Sequence, residues 1–465
     1  MRIAACGLAS FPASKGSFAG QAPVSKDGRA IRAGPEFAMT MKKQTQEKTT
    51  RKAVRKPPLN VVTVPGGRTL REPPSPEEHQ RPPRRHLPYP VVALVLQGGG
   101  ALGAYQAGVF QGLDEAGIAP DWVTGISIGA INAALIAGNA PAQRVERLRQ
   151  FWETICRSPL APQVSDVIQN WVEQMGSEAR KSFNAFEAWR AVVNGQSGFF
   201  LPRQPPPWLA VEQQPGEVGI YDTTPLKATL EAMVDFDRIN AAETRVTVSA
   251  VNVRTGNFEY FDNSSGHWKG RLRAEHFMAS GALPPGFPPV EIDGEFYWDG
   301  ALVSNTPLLK VLTSWPRPDT LAFQVDLWSS SGIVPTNIWD AEERRKDIVN
   351  SSRTRAITDL LAREQHIRHL VRSLLAQIPE ARRGCDACCK EASLWATDRR
   401  VNVIHLIYRD KEWDGIAKDY EFGPLTMRDH WASGLDDIRQ TLAHGDWLDL
   451  PGKERNFVTH DLHRA

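Results

Sequence analysis

The sequence predicts an α/β protein, a three-layer α/β/α sandwich with a mostly parallel sheet, followed by a mainly helical C-terminal region. Three observations carry this. The apolar run Val91–Leu96 enters a glycine-rich turn, Gly98-Gly99-Gly100-Ala101-Leu102-Gly103, which opens into helix-like residues 104–116. Residues 122–124 enter a second turn, Gly125-Ile126-Ser127-Ile128-Gly129, which opens into helix-like residues 130–137. Strand-like and helix-like segments follow up to residue 328, where charged, helix-spaced sequence takes over.

The chain has 465 residues, with 55 Lys and Arg against 53 Asp and Glu, a net charge of +2. That length suggests two domains plus a tail: a basic, disordered tail over 1–89, a first domain over 90–328 and an accessory domain over 329–465. Residues 1–90 hold 17 Lys and Arg against 6 Asp and Glu, an excess of 11, so the rest is mildly acidic. The tail is rich in Pro, Lys, Arg, Gln and Thr and has no sustained apolar period. Its basic runs, 42–56 and 81–85, could meet anionic lipid or nucleic acid, but a solvated tail is the simpler expectation, and no nucleic-acid partner is expected. No run reaches the ~18 apolar residues of a membrane helix, and the first residues are too weakly apolar for a secretory signal. The five cysteines, Cys6, Cys156, Cys385, Cys388 and Cys389, are odd in number and clustered, which fits a reducing compartment. A cytoplasmic location, peripheral to a membrane at most, is the expectation.

Beyond the two turns, residues 144–156 and 165–193 have helical spacing. The stretch up to Trp208 collects Phe151, Trp152, Trp171, Phe183, Phe186, Trp189, Phe199 and Phe200, which reads equally as an acyl-chain pocket or lid and as ordinary core. Residues 202–215 read as a loop. Tyr221-Asp222-Thr223-Thr224-Pro225-Leu226 reads as a helix start, with a threonine as cap and Pro225 in the first turn. Residues 245–253 form a strand that turns at 255–257 into strand 258–261, and 290–298 form a hairpin turning at Asp293-Gly294. A short helix over 276–282 precedes it, and a buried strand, 320–327, follows it. Residues 338–377 read as helical, 383–390 as a loop, 401–408 as a strand and 426–443 as a helix.

The second turn fits G-x-S-x-G, in which the serine sits on a tight strand-to-helix turn and the flanking glycines make room for the backbone. Ser127 also lies at a helix N-terminus, which favours developing negative charge. Acyl transfer needs a nucleophile and donors for an oxyanion, and the turn Gly98–Gly103 can aim several N–H groups into one space. The same turn fits a dinucleotide fingerprint, but that reading wants an acidic residue ending the second strand, and Asp121 precedes residues 122–124 instead. A third reading, glycines kept only for helix–sheet packing, is less economical for two turns in tandem.

These residues resemble the patatin-like phospholipases. That family carries a glycine-rich oxyanion turn, G-x-S-x-G, and a downstream D-G-[GA], which this chain supplies as Asp299-Gly300-Ala301. Residues 276–289, HFMASGALPPGFPP, also look like the loop before the family's catalytic aspartate. The resemblance covers about 90 to 328. Residues 418–431, KDYEFGPLTMRDHW, look like a C-terminal domain of unknown function found in a bacterial subset of the family, which implies no activity of its own.

The resemblance implies a patatin-like fold and a Ser–Asp dyad, with Ser127 as nucleophile and Asp299 as proton acceptor. It implies oxyanion donors from the turn that includes Gly98, Gly99, Gly100 and Gly103, together with the N–H of Ile128. Gly125 and Gly129 complete G-x-S-x-G, and Gly300 and Ala301 complete the D-G-A motif. The physics is consistent, since a serine needs a base and a carboxylate in a partly dry site accepts a proton more readily. Asp-Gly is also a common turn, the plainer reading of Asp299 taken by itself. The histidines, including His267, His276, His366, His369 and His405, read as surface or structural. The implied activity is lipid acyl ester hydrolysis, with a lipid or acyl ester as substrate, peripheral membrane contact and no cofactor. A catalytically silent lipid-binding scaffold and an acyltransferase using the same acyl-enzyme are the alternatives. Many family members carry Arg or Lys where this chain has Leu102, and leucine cannot hold a phosphate, which weakens the case for a phospholipid. No metal is expected: Cys385-x-x-Cys388-Cys389 is a single knuckle where zinc wants four ligands, and there is no calcium-binding loop.

Overall fold

The computed structural model describes residues 82–462, apart from 159–166, 170, 173, 175, 210–212 and 352–353. The tail expected over 1–89 lies outside the described residues up to 81. Its last stretch lies on the folded body. Leu87 and Tyr89 are buried, and the Tyr89 hydroxyl donates to the Asp449 carbonyl at 2.5 Å.

Strand β1 (Val91–Leu96) is wholly aliphatic, as a strand covered on both faces must be. Next come β2 (Trp122–Gly125), a small separate ribbon of β3 (Leu201–Pro202) and β4 (Tyr221–Asp222), then β5 (Arg245–Asn252) and β6 (Phe258–Asp262). β7 (Val290–Ile292), β8 (Glu295–Asp299), β9 (Thr320–Asp326), β10 (Val401–Ile407) and β11 (Phe457–Asp461) complete the set. Nine of these form one sheet in the order β11-β10-β9-β1-β2-β5-β8-β7, with β6 also on β5. β11 through β5 run parallel, and the β5–β6, β5–β8 and β7–β8 pairs are antiparallel.

Alternation along the strands sorts the core onto two faces. Leu94, Leu96, Phe323 and Ile404 join Phe110, Ile131, Trp431 and Ile438 of helices 104–115, 128–137 and 424–443. Ala93, Val95, Ala322 and Val403 face the other way, onto Leu308 and Leu312 of helix 308–313 and Leu361 of helix 354–377. Each fully buried Val, Leu, Ile or Phe side chain among these stabilises the sandwich by about 2 kcal/mol. The expected three layers and mostly parallel sheet are therefore present, and helices 338–350, 354–377, 380–385, 387–395 and 424–443 dominate the C-terminal region.

That region is not set apart from the sheet. β10 pairs with β9 along seven residues and β11 pairs with β10, so a boundary at 329 runs through one sheet. Helix 424–443 lies directly on helix 104–115. A Cβ on Gly108 would sit 1.9 Å from the Trp431 carbonyl oxygen, and one on Gly434 would sit 2.0 Å from that of Tyr105. Only glycine lets the two backbones come so close.

Two local expectations need correction. Thr223 makes no side-chain cap; Asp222 caps instead, its Oδ1 accepting the Thr224 N–H at 2.9 Å. Residues 383–390 are not a loop but parts of helices 380–385 and 387–395. Asp386 starts the second by accepting the Cys389 N–H at 3.0 Å, so the aspartate among the cysteines is a helix cap. No helix among the described residues is long and apolar enough to cross a membrane.

Candidate active site

The second glycine turn follows β2, where the parallel strands end. A Cβ on Gly125 would lie 2.2 Å from the Gly129 carbonyl oxygen, and one on Gly129 would lie 2.4 Å from that of Leu96. Between them Ser127 holds φ 55° and ψ −125°, a conformation costing on the order of 1–3 kcal/mol that persists only where the surroundings enforce it. They do so here, because the Ser127 N–H is held by the Ser280 carbonyl at 3.0 Å and the Ser280 hydroxyl at 3.1 Å. Among residues 122–139 Ser127 alone is not buried.

Asp299 ends β8, anchored by its N–H to the Ala282 carbonyl at 3.0 Å. It is 1% exposed. Its Oδ1 accepts the Ala301 N–H at 2.8 Å, while its buried Oδ2 has no hydrogen-bond partner among the described residues. Burial pushes its pKa up to about 7, opposed chiefly by the Ala301 N–H. Gly300 is required by crowding, since a Cβ there would lie 2.7 Å from the Ser249 carbonyl oxygen.

The first glycine turn is held by residues distant from it in sequence. The Gly98 N–H donates to Asn305 Oδ1 at 3.2 Å, and its carbonyl accepts from Asn305 Nδ2 at 3.2 Å and Trp328 Nε1 at 2.9 Å. Asn132 Nδ2 holds the Gly103 carbonyl at 3.0 Å. The N–H groups of Gly99, Gly100 and Ile128 have no acceptor among the described residues. Gly98, Gly99, Gly100, Ser127, Ile128, Asp299 and Ala301 line one cavity. Gly103, Gly125, Gly129 and Gly300 stand behind it as packing glycines.

The rest of the cavity falls into two groups. Ile131, Phe199, Phe200, Leu226, Phe287 and Phe422 give an apolar wall, and Asn305, Trp328, Lys346, Asn350, Asp419 and Tyr420 give a polar one. Of the aromatics weighed as pocket or core, Phe199 and Phe200 line the cavity, Phe151 and Trp152 are core, and Trp171, Phe186, Trp189 and Trp208 are exposed. A wider cleft of about 970 Å³ between helices 144–155 and 424–443 contains neither Ser127 nor Asp299.

No histidine lines the cavity among the described residues. His276 is buried between the rings of Phe261 and Trp268, and burial lowers its pKa to about 4. Sequence reasoning missed Ser280, Asn305, Lys346, Asp419, Tyr420 and Phe422. The segment 418–431 stands out in the sequence, but nothing in its pattern places Asp419, Tyr420 and Phe422 in the serine's cavity.

A family described as patatin-like phospholipase matches residues 94–312, and one described as patatin phospholipase matches 348–454. The chain is 26% identical over 258 residues to a cGAMP-activated phospholipase of Vibrio cholerae, covering 50% of this chain and 59% of that one. It is 57% identical over 49 residues to lysophospholipase nte1 of Aspergillus terreus, 10% of this chain and 3% of that one. It is 42% identical over 71 residues to patatin-like phospholipase domain-containing protein 6 of Mus musculus, 15% of this chain and 5% of that one. In each case the match spans less than two thirds of the relative's length.

Proposed function

The chain belongs to the patatin-like phospholipase family, and from that premise we propose that it is a serine acyl hydrolase of lipid esters working through Ser127 and Asp299. The observation that carries this reading is the pairing of a strained, accessible serine with a buried carboxylate in one cavity. In the first step Ser127 Oγ attacks the acyl carbonyl carbon while its proton passes to Asp299. The carbonyl oxygen takes the negative charge and is met by the free N–H groups of Gly99, Gly100 and Ile128. The tetrahedral intermediate collapses, the C–O bond to the alcohol breaks, and Asp299 returns the proton to the leaving oxygen. Water then attacks the acyl-Ser127 ester with Asp299 again as base, releasing the fatty acid and restoring the serine.

A base with a pKa of about 7 suits this work, because it is half ionised near neutrality and accepts a proton at little cost. The ring wall of Phe199, Phe200, Phe287 and Phe422 suits an acyl chain, and the names of the relatives favour a lipid. The test is labelling by a fluorophosphonate together with fatty-acid release from a panel of phospholipids, glycerides and short-chain esters. The reading expects labelling that disappears in Ser127→Ala and release from at least one lipid. An unlabelled, inactive wild-type protein would leave a lipid-binding scaffold as the better account.

A further inference from the structure

The linings of the cavity form two contiguous groups. The rings of Phe199, Phe200, Phe287 and Phe422 pack on one another with centroids 5.2 to 6.2 Å apart. The polar group is equally continuous. Lys346, on helix 338–350, is ion-paired with Asp419 and donates to the Ile416 carbonyl at 3.0 Å. Its ammonium stands 5.3 Å from the ring centre of Tyr420 and 5.8 Å from that of Trp328, and Trp328 in turn donates to Gly98. Ser127 lies in the same cavity, so a substrate whose acyl carbonyl sits at the serine can place an apolar arm in one group and a polar arm in the other.

The polar group holds an uncommitted donor. An ammonium has three N–H bonds, and two of those of Lys346 have acceptors. The side chain keeps 22% exposure, and no other Lys or Arg lines this cavity among the described residues. Leu102, in the glycine turn, is fully buried, so the turn supplies no cation. The Asp419 carboxylate balances the ammonium while the cavity is empty. A neutral pair of this kind complements a headgroup carrying both charges, with phosphate toward the ammonium and cation toward the carboxylate, better than a purely anionic one; the rings of Tyr420 and Trp328 are already met by Lys346, and Trp328 by Lys418 at 5.3 Å as well.

We propose that Lys346 is a headgroup subsite, holding the phosphate of a zwitterionic phospholipid whose acyl chain lies along the phenylalanine wall; this rests on the hydrolase reading above. The C-terminal region then sets substrate class for a nucleophile that the N-terminal half supplies. The sequence-based expectation drawn from Leu102 is reversed, because the cation arrives from another part of the chain.

Two probes with the same acyl chains test this, dihexanoylphosphatidylcholine and dihexanoylglycerol. The quantity read is the ratio of their kcat/KM values in the wild type, Lys346→Met, Lys346→Arg and the Lys346→Met, Asp419→Asn double variant. A charged hydrogen bond of ordinary strength predicts a fall in the ratio of about tenfold or more in both Met-containing proteins, expressed mainly in KM, with most of it kept by Lys346→Arg. The double variant leaves no unpaired carboxylate, so its fall reports the lost cation and not a stray charge. Fluorophosphonate labelling of Ser127 follows every protein. Intact labelling with an unchanged ratio, or equal losses on both substrates, overturns the subsite and leaves the hydrolase standing. A wild type that neither labels nor turns over either probe overturns both.

Discussion

The Ala101 N–H donates to the Asp419 carbonyl oxygen at 2.9 Å, so the glycine-rich turn beside Ser127 is closed by a residue from the far end of the chain. The other side of the same residue is met from the same region, where His430 Nδ1 lies 3.4 Å from the Ala101 carbonyl oxygen. His430 is itself packed between Tyr408 and Asp414, its ring 5.0 Å from that of Tyr408 and its Nε2 3.9 Å from Asp414 Oδ1. The C-terminal region thus fixes the backbone next to the free N–H groups of Gly99 and Gly100, beyond lending residues to the cavity.

This clamp makes Gly100 intolerant of a side chain. A Cβ there would lie 2.2 Å from the Asp419 carbonyl oxygen, on a backbone with φ +55°. Gly100→Ala is expected to lower kcat by about 100-fold, the scale of losing one oxyanion donor. Gly256→Ala is the control. It has a similar φ of +68° and nothing within 4 Å of the new Cβ, so it should cost about 1 kcal/mol of stability and leave kcat within about twofold. Equal kcat values for the two variants would show that the contact with Asp419 does not position the donors.

Ser127→Ala should abolish turnover without harming the fold, since it removes one partly exposed hydroxyl. Asp299→Asn should also remove most activity, by about 10³-fold or more, because an amide cannot take the serine proton. The double variant should be no worse than Ser127→Ala, as expected for groups that act as a unit. Steady-state assays and rates of fluorophosphonate labelling check this, and Asp299→Asn should still label slowly. Near-normal turnover by Asp299→Asn would make the aspartate a turn residue.

The legible parts of this protein are those whose information is local. The two glycine turns and Asp299-Gly300-Ala301 each need only a few adjacent residues, because a tight turn is fixed by neighbouring sterics, and β1 matched its structural bounds because a buried parallel strand is a plain aliphatic run. What stayed hidden depends on contacts distant in sequence. Lys346, Asp419 and His430 look like ordinary polar residues of charged segments until the sheet brings them to the turn. Composition changes at 329, but strand pairing ignores composition, and β10 joins β9 all the same. Residue type favours a threonine as the cap of helix 224–233, but the geometry gives that role to Asp222.

The pKa of Asp299 makes activity and stability move in opposite directions with pH. Its folded value, about 7, lies above the ordinary 3.8. As a base it must be ionised, so kcat/KM should rise with pH, reach half its plateau near pH 7 and stay flat above, as an assay over pH 5 to 9 would show. As a buried acid it stabilises the fold fully below about pH 4, and that contribution is lost as pH rises through 7. Asp299→Asn, which never ionises, should therefore gain stability over the wild type across this window, on the order of 4 kcal/mol by pH 8. Denaturant melts at pH 4 and pH 8 read the difference, and an advantage no larger at pH 8 would contradict a buried, titrating Asp299.

Ending the chain at residue 328 should give a protein that does not fold on its own, although residues 94–312 alone match the patatin-like phospholipase family. The cut leaves β9 as an edge, and every residue of β9 is buried in the intact chain and paired with β10. An unpaired edge strand of seven residues, with Leu321, Ala322, Phe323 and Val325 laid bare, is a template for aggregation. The cut also strips helix 104–115, whose Gly108 and Gly112 would lose Trp431 and Ile438, and it removes both contacts that hold Ala101. Losing several fully buried side chains, each worth about 2 kcal/mol, is a loss of the same size as the 5–15 kcal/mol margin by which domains are stable. The expected result is insoluble protein, or soluble protein without a cooperative melt and without labelling at Ser127. A soluble fragment that melts cooperatively and labels at the rate of the full chain would mean that the sheet is complete without β10 and β11, and that the C-terminal region only decorates it.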